Sequence, residues 1–175
     1  MPPRLRVPFG YLLGLLVLAL AHPSLARLAA GGAIALAGEA IRLWAAGHID
    51  KTRALATGGP YAHTRNPLYL GSLVMAVGVA VAAASPWAAL AVAAYFAAFY
   101  PLVVREEASF LRDRFPREYA AWSAAVPLFL PRLAPAGPRA TSFAWERVRR
   151  NREWRAALAV PAVAALLWAR GRWLP

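Results

Sequence analysis

Two short polar clusters hold most of the groups with chemistry to offer in an otherwise apolar chain. The first is Ala54-Leu55-Ala56-Thr57-Gly58-Gly59-Pro60-Tyr61-Ala62-His63-Thr64-Arg65-Asn66-Pro67-Leu68-Tyr69-Leu70-Gly71, which gathers two tyrosines, a histidine, an arginine and an amide. The second opens on Arg105-Glu106-Glu107 and runs on through Leu111, Phe115-Pro116, Glu118-Tyr119, Trp122, Val126-Pro127 and Leu130-Pro131. A carboxylate can hold a cation, an arginine an anion, and an aromatic face either an adenine-like ring or a cation. Glu106 and Glu107 follow directly on an apolar run. A helix ending there would place them against its macrodipole, at a cost of about 0.3–1 kcal/mol each. That placement points to a bound cation or a buried partner, with pairing to a neighbouring arginine as the plain alternative.

The elements that must carry these clusters are membrane helices. The chain is 175 residues long, 60% hydrophobic and 16% charged, against about 45–50% apolar and about 25% charged in ordinary soluble domains. Residues 68–84 and 87–104 are uncharged runs of 17 and 18 residues separated by Ser85-Pro86, so they form a tight antiparallel hairpin of spanning length. Residues 7–21 and 28–38 give two more apolar helices, broken at His22-Pro23-Ser24. The second follows so closely, with no convincing small-residue cleavage site, that the first reads as a retained helix rather than a leader. Residues 156–169 carry Pro161 and form a short fifth span or a re-entrant segment. Gly58-Gly59-Pro60 forces a turn, Pro67 suits the first position of a helix, and Tyr69 is expected at the interface.

Charge orients these elements. There are 20 basic and 8 acidic residues, a net charge of +12. Sixteen of the basic residues fall on the side of the N-terminus and the two long loops, three on the other side, and Arg42 inside a helix. The positive-inside rule then puts the loops in the cytoplasm, most simply of a bacterial inner membrane. A nucleic-acid role fails on the apolar composition and the lack of a groove-reading motif; anionic lipid explains the arginines. The chain has no cysteine, which excludes disulfide and thiolate chemistry. His22, His48 and His63 have no metal-ligand spacing, so no metal is expected. Residues 131–138 read as a proline-rich linker, and 141–155 as an interfacial amphipathic helix. The expected fold is an all-α integral membrane protein of about five spans in one domain. Residues 1–46 would form an N-terminal helix pair, 47–133 the core, and 134–175 the amphipathic helix and last apolar segment.

Together the two clusters resemble the isoprenylcysteine carboxyl methyltransferase family, whose pattern overlaps that of the phospholipid methyltransferases. That family runs Gly-x-Tyr, Arg-His-Pro-x-Tyr-x-Gly, a two-helix hairpin, Glu-Glu-x-x-Leu, Phe-Gly-x-x-Tyr and Val-Pro-x-x-x-Pro. Here stand Gly59-Pro60-Tyr61, Arg65-Asn66-Pro67-Leu68-Tyr69-Leu70-Gly71, Glu106-Glu107-Ala108-Ser109-Phe110-Leu111, Phe115-Pro116-Arg117-Glu118-Tyr119 and Val126-Pro127-Leu128-Phe129-Leu130-Pro131. The resemblance covers roughly residues 40–133. It implies S-adenosylmethionine as cofactor and a lipophilic small molecule or lipid as methyl acceptor, met at the cytoplasmic membrane face. It makes Glu107 the cofactor glutamate, with Tyr61, Asn66, Pro67, Leu68 and Tyr69 lining the same pocket. Lys51, Arg53, Ala54, Leu55 and Ala56 would supply the loop ahead of the turn. Arg65, Arg105 and Glu106 are the candidate catalytic residues.

Three departures bear on the chemistry. The family histidine is Asn66, which bonds but does not titrate near neutral pH, so a general base is not expected there. Transfer to an acceptor that is already anionic needs positioning more than a base. The family's substrate arginine is Val103, with Arg105 close by, and Phe-Gly is Phe115-Pro116. Glu39 and Arg42, one turn apart in an apolar helix, are either functional or a structural pair. The same features admit a sterol-reductase-like enzyme using a nicotinamide nucleotide, or a non-catalytic protein binding anionic lipid.

Overall fold

The computed structural model describes residues 5–50, 54–137 and 141–173. Every regular element among these residues is helical, and none is a strand. The helices are α1 (Arg6–Leu20), α2 (Leu25–Ala46), α3 (Pro67–Ala83), α4 (Pro86–Arg114), α5 (Pro116–Ala125), α6 (Trp145–Arg150) and α7 (Trp154–Trp173), with a 3-10 turn at Gly59–Ala62. The breaks fall where proline and capping chemistry require them. His22 precedes Pro23 and is thereby steered away from helix; Ser24 then accepts the amide of Arg27 at 3.3 Å to open α2. Ser85 accepts the amide of Ala88 at 3.3 Å, and Pro86 takes the first helical position of α4. The hairpin is as tight as the sequence requires.

The chain divides into two compact units: Met1–Glu39 with Leu73–Val103 and Ala156–Pro175, and Ala40–Ser72 with Val104–Arg155. The first has a core of Val17, Ala21, Ala82, Ala83, Ala88, Val92 and Leu167. A Cβ at Gly31 would fall on the carbonyl oxygen of Gly78, and one at Gly78 on that of Gly31, so α2 and α3 approach at backbone distance. A small cavity of about 80 Å³ lies beside this contact, lined by Leu28, Ala35, Met75, Val79, Val160 and Val163 among others. The outer faces stay apolar: Leu12, Leu15, Leu25, Leu36, Leu90 and Leu166 are all exposed.

Two helices, α2 and α4, are long and apolar enough to cross a membrane, and only 28% and 22% of their apolar windows are buried. That low burial sets them apart from core helices of a soluble bundle, and an apolar surface this large calls for lipid or a partner. About five crossings were expected, and the described residues supply fewer that qualify. α1 and α3 have 15 and 17 residues, short of the ~20 that span a hydrocarbon core. α7 has 20 residues but carries Arg155, Arg170, Arg172 and an internal Pro161.

The second unit packs Ala45, Leu55, Tyr61, Tyr119, Trp122 and Val126 together. It holds fifteen of the twenty basic residues and seven of the eight acidic ones. Three sequence expectations change here. α4 runs on to Arg114, so Glu106 and Glu107 lie about two turns inside it. The macrodipole acts within the last turn, where Arg112 and Arg114 complement it, so the expected penalty is absent. The segment read as a linker is docked: Arg132 and Ala136, each following a proline, donate their amides to His63 at 3.0 Å and Ala62 at 2.9 Å. Pro138 lies outside the described residues. The stretch 141–155 is not one amphipathic helix: α6 covers Trp145–Arg150, with Val148 buried, and α7 begins at Trp154. Asp50 takes Arg150 at 3.0 Å, and Asn151 caps the end of α2 through the carbonyls of Ala46 at 2.9 Å and Ile49 at 3.2 Å.

The glycine contact gives a direct contrast. Gly31→Ala should destabilise the detergent-solubilised protein by about 1–3 kcal/mol, because backbone must shift. Gly32→Ala, with nothing within 4 Å of its Cβ position, should stabilise it by about 0.5–1 kcal/mol. Thermal unfolding of both variants against the wild type checks the difference.

Candidate active site

Two glycines set the turn ahead of the site for different reasons. Gly58 donates its amide to the Thr141 hydroxyl at 3.2 Å, and a Cβ there would strike the Thr141 carbonyl. Gly59 has φ +56° and lies against the His48 ring, whose Nδ1 is 2.9 Å from the carbonyl of Trp44. The 3-10 turn that follows buries Tyr61. Its carbonyl accepts the Trp122 indole N–H at 2.9 Å, and Trp122 meets Tyr119 edge-on.

The chain beyond Tyr61 is laced to residues 127–136. The amide of Arg65 donates to Pro127 at 2.9 Å, the Thr64 hydroxyl to the Phe129 carbonyl at 2.9 Å, and the Asn66 side-chain amide to the Leu128 carbonyl at 2.9 Å. Asn66 stands just before α3 and its carbonyl accepts the amide of Leu70 at 2.9 Å. Its side-chain N–H is therefore spent on anchoring the helix start, a use for which a titrating group is unnecessary. Pro67 is the first residue of α3 and is buried.

From that anchored turn the Tyr69 hydroxyl donates to Glu107 Oε2 at 2.7 Å, within the range of about 2.5–2.7 Å expected for a hydroxyl on a carboxylate. Tyr69, expected at a membrane interface, is half-buried and joined to Glu107. On its other side the turn meets Arg42. One guanidinium nitrogen bonds the Ser72 hydroxyl and lies 3.5 Å from the Leu68 carbonyl. The other lies 2.5 Å from Glu153 Oε1. The Tyr61 phenol lies in the field of all these groups. Burial raises its pKa well above the ordinary tyrosine value; Glu107, Tyr69 and Glu153 push the same way, and Arg42 opposes them.

Of the residues read from the sequence, Tyr61, Leu68, Tyr69 and Glu107 come together in this cluster, with Asn66 and Pro67 setting the turn that carries them. Leu55 is in the core with Tyr61, and Ala56 packs against it; Ala54 bridges to Asp50. Arg65 is half-buried, and its Nε is shut off from solvent with no hydrogen-bond partner among the described residues. Arg105 and Glu106 are exposed on α4. Each residue along a helix turns about 100°, so they leave its surface in other directions from Glu107 and do not join the cluster. Lys51 and Arg53 lie outside the described residues. The sequence reading missed Glu153, whose signal was an acid set among arginines, and it considered Glu39, not Glu153, as the partner of Arg42. Glu39 is buried. Among the described residues no group of three or more His, Cys, Asp or Glu could hold a metal ion.

Apolar helices with exposed apolar faces and a tyrosine–carboxylate cluster at a proline-started helix define a membrane-type helical protein with one polar side-chain cluster at that helix start. Residues 32–118 match the family model described as phospholipid methyltransferase, and the chain belongs to that family. Over 95 residues it is 39% identical to the cobalt-zinc-cadmium resistance protein CzcN of Cupriavidus metallidurans, covering 53% of this chain and 44% of that protein. Over 140 residues it is 32% identical to the nickel-cobalt-cadmium resistance protein NccN of Alcaligenes xylosoxydans xylosoxydans, covering 77% of this chain and 65% of that one. The chain thus spans less than two thirds of either relative's length. No solved structure matches it.

The buried phenol sets an alkaline limit. A raised pKa means that below pH about 10 both folded and unfolded chains keep the Tyr61 proton. Above it the unfolded chain ionises first and stability falls, by up to about 1.4 kcal/mol per pH unit. Melts between pH about 9 and 11 should show this added slope in the wild type and not in Tyr61→Phe.

Proposed function

We propose that the protein transfers a methyl group from S-adenosylmethionine to a lipophilic acceptor, with Glu107 holding the cofactor's ammonium. The observation that carries this reading is the Tyr69–Glu107 bond beside buried Tyr61, inside the segment that matches the family. The hydrogen bond from Tyr69 fixes the orientation of the Glu107 side chain. The other carboxylate oxygen, on an exposed residue, is open to a cationic ligand. The tyrosine rings offer faces to a sulfonium or an adenine. The closed-off Nε of Arg65 is a donor of the kind a cofactor carboxylate would satisfy, and Lys51 and Arg53 carry the same charge in the loop ahead of the turn. The residues present therefore fit the cofactor.

When bound, S-adenosylmethionine supplies a methyl on a positively charged sulfur, which becomes a neutral sulfide once the acceptor's lone pair has taken the methyl. The chain's own part is orientation and exclusion of water. Asn66 is committed to anchoring, so no proton is taken at that position. Arg105 and Glu106 are exposed on α4, and in this reading any part they take would be with an acceptor's head group rather than with the cofactor. The acceptor would arrive laterally from the bilayer. The arginine asymmetry supports a site on the cytoplasmic face of a bacterial inner membrane. The relatives' names supply a context of metal resistance, in which this chain's part would be to modify a membrane component.

Calorimetry on the purified protein in detergent tests the assignment. S-adenosylmethionine should bind and a nicotinamide nucleotide should not. Glu107→Gln should weaken S-adenosylmethionine by at least about tenfold, as expected for losing one charged hydrogen bond of about 1.5–3 kcal/mol. Binding of the nicotinamide alone, or an unchanged affinity in Glu107→Gln, contradicts it.

A further inference from the structure

Glu153 stands out in its own segment: from 147 to 155 it is the sole acid among five arginines. It is 6% exposed. The backbone aims it inward at a cost. Arg152 has φ +56°, a left-handed conformation that strains a non-glycine residue by roughly 1–2 kcal/mol. The amides of Arg152 and Glu153 return to Arg149 at 3.0 Å and Val148 at 3.2 Å, and Asn151 fastens the turn to the end of α2. The product of this arrangement is one ion pair, Glu153 with Arg42. Buried ion pairs seldom repay their desolvation, so stability alone gives little reason for it. Arg42 also bonds the Ser72 hydroxyl and reaches the Leu68 carbonyl, on the two turns of α3 that present Tyr69 to Glu107. Glu153 lies beyond residues 32–118, the part that matches the family.

We propose that Glu153 is a positioning residue of the methyl-donor site, one that seats Arg42 against the start of α3 and offsets its charge so that the field of Glu107 favours a cationic ligand. This rests on the methyl-transfer reading above. The Tyr61 phenol, on which Glu107, Glu153 and Arg42 all act, reports that the three charges share one field. Glu153→Gln keeps the size of the side chain and removes one negative charge, making the neighbourhood more positive by one unit whatever else Arg42 touches. S-adenosylmethionine carries a sulfonium that S-adenosylhomocysteine lacks; the rest of the two molecules is alike apart from the methyl. A change of field therefore weighs more on the first, whereas a packing defect weighs on both equally.

The test is calorimetry of both ligands on the full chain in detergent, with thermal melts alongside. Glu153→Gln should weaken S-adenosylmethionine by about tenfold and S-adenosylhomocysteine by about threefold or less, the difference being the Coulomb term. Adding Arg42→Gln should bring the ratio of the two affinities back towards the wild type. Equal losses for both ligands, or no loss, overturn the proposal. Glu153→Asp covers the case in which the glutamine variant does not fold: it retains the charge and should keep the wild-type ratio, and a shifted ratio there also overturns it. A wild type that binds neither ligand removes instead the methyl-transfer reading on which the proposal stands.

Discussion

The hydroxyl of Tyr69 sits 2.7 Å from a carboxylate oxygen of Glu107, and much of the second unit is arranged to keep it there. The tyrosine leaves the first turn of α3 and the glutamate the late part of α4, so the bond holds only if both helices are fixed in register. α4 meets its side by continuing as helix past Glu107 to Arg114. α3 meets its side by starting on Pro67, whose backbone needs no hydrogen-bond partner, and by the hold that Asn66 and Arg42 have on its first turns. Glu107 is exposed, so the bond itself adds little to stability once solvent screening is counted. What it contributes is orientation: one carboxylate oxygen is held by Tyr69 on a side chain that is otherwise exposed.

The hold on α3 comes from a segment that looks unsuited to hold anything. Residues 126–137 contain three prolines and no helix, yet they run beside residues 61–66 and exchange backbone bonds with them. Proline explains why. It removes the amides that would otherwise need a partner and keeps the chain extended, while the residue after each of Pro131 and Pro135 still has an N–H to give. Trp122 closes the arrangement from beneath, its indole on the carbonyl of Tyr61. Tyr61 is thereby held in the core of the unit.

Local chemistry was legible in the sequence and long-range pairing was not. Pro23, Pro67 and Pro86 mark helix boundaries because proline acts on its immediate neighbours, and the structure breaks the chain at each. The Gly58-Gly59-Pro60 turn was likewise readable, though the need for two glycines comes from Thr141 and His48, which arrive from elsewhere. Tyr61, Tyr69 and Glu107 were visible through their resemblance to a family. Glu153 was hidden: its partner is at the far end of the chain, and nothing in a run of arginines says which acid turns inward. The helix end was misplaced for a related reason, since charge after an apolar run marks the end of grease and not the end of a helix. The crossing count failed because apolarity shows what a segment can tolerate, while length and arginine placement decide what qualifies.

The central claim is that the tyrosine–carboxylate cluster serves methyl transfer to a lipophilic acceptor. The most direct measurement incubates bacterial membranes lacking or containing this protein with methyl-labelled S-adenosylmethionine and follows the label into the organic-solvent extract. The account predicts a labelled lipophilic product that appears with the wild-type protein and is missing with Glu107→Gln. Label that never enters the extract, or enters it equally with and without the protein, would contradict it.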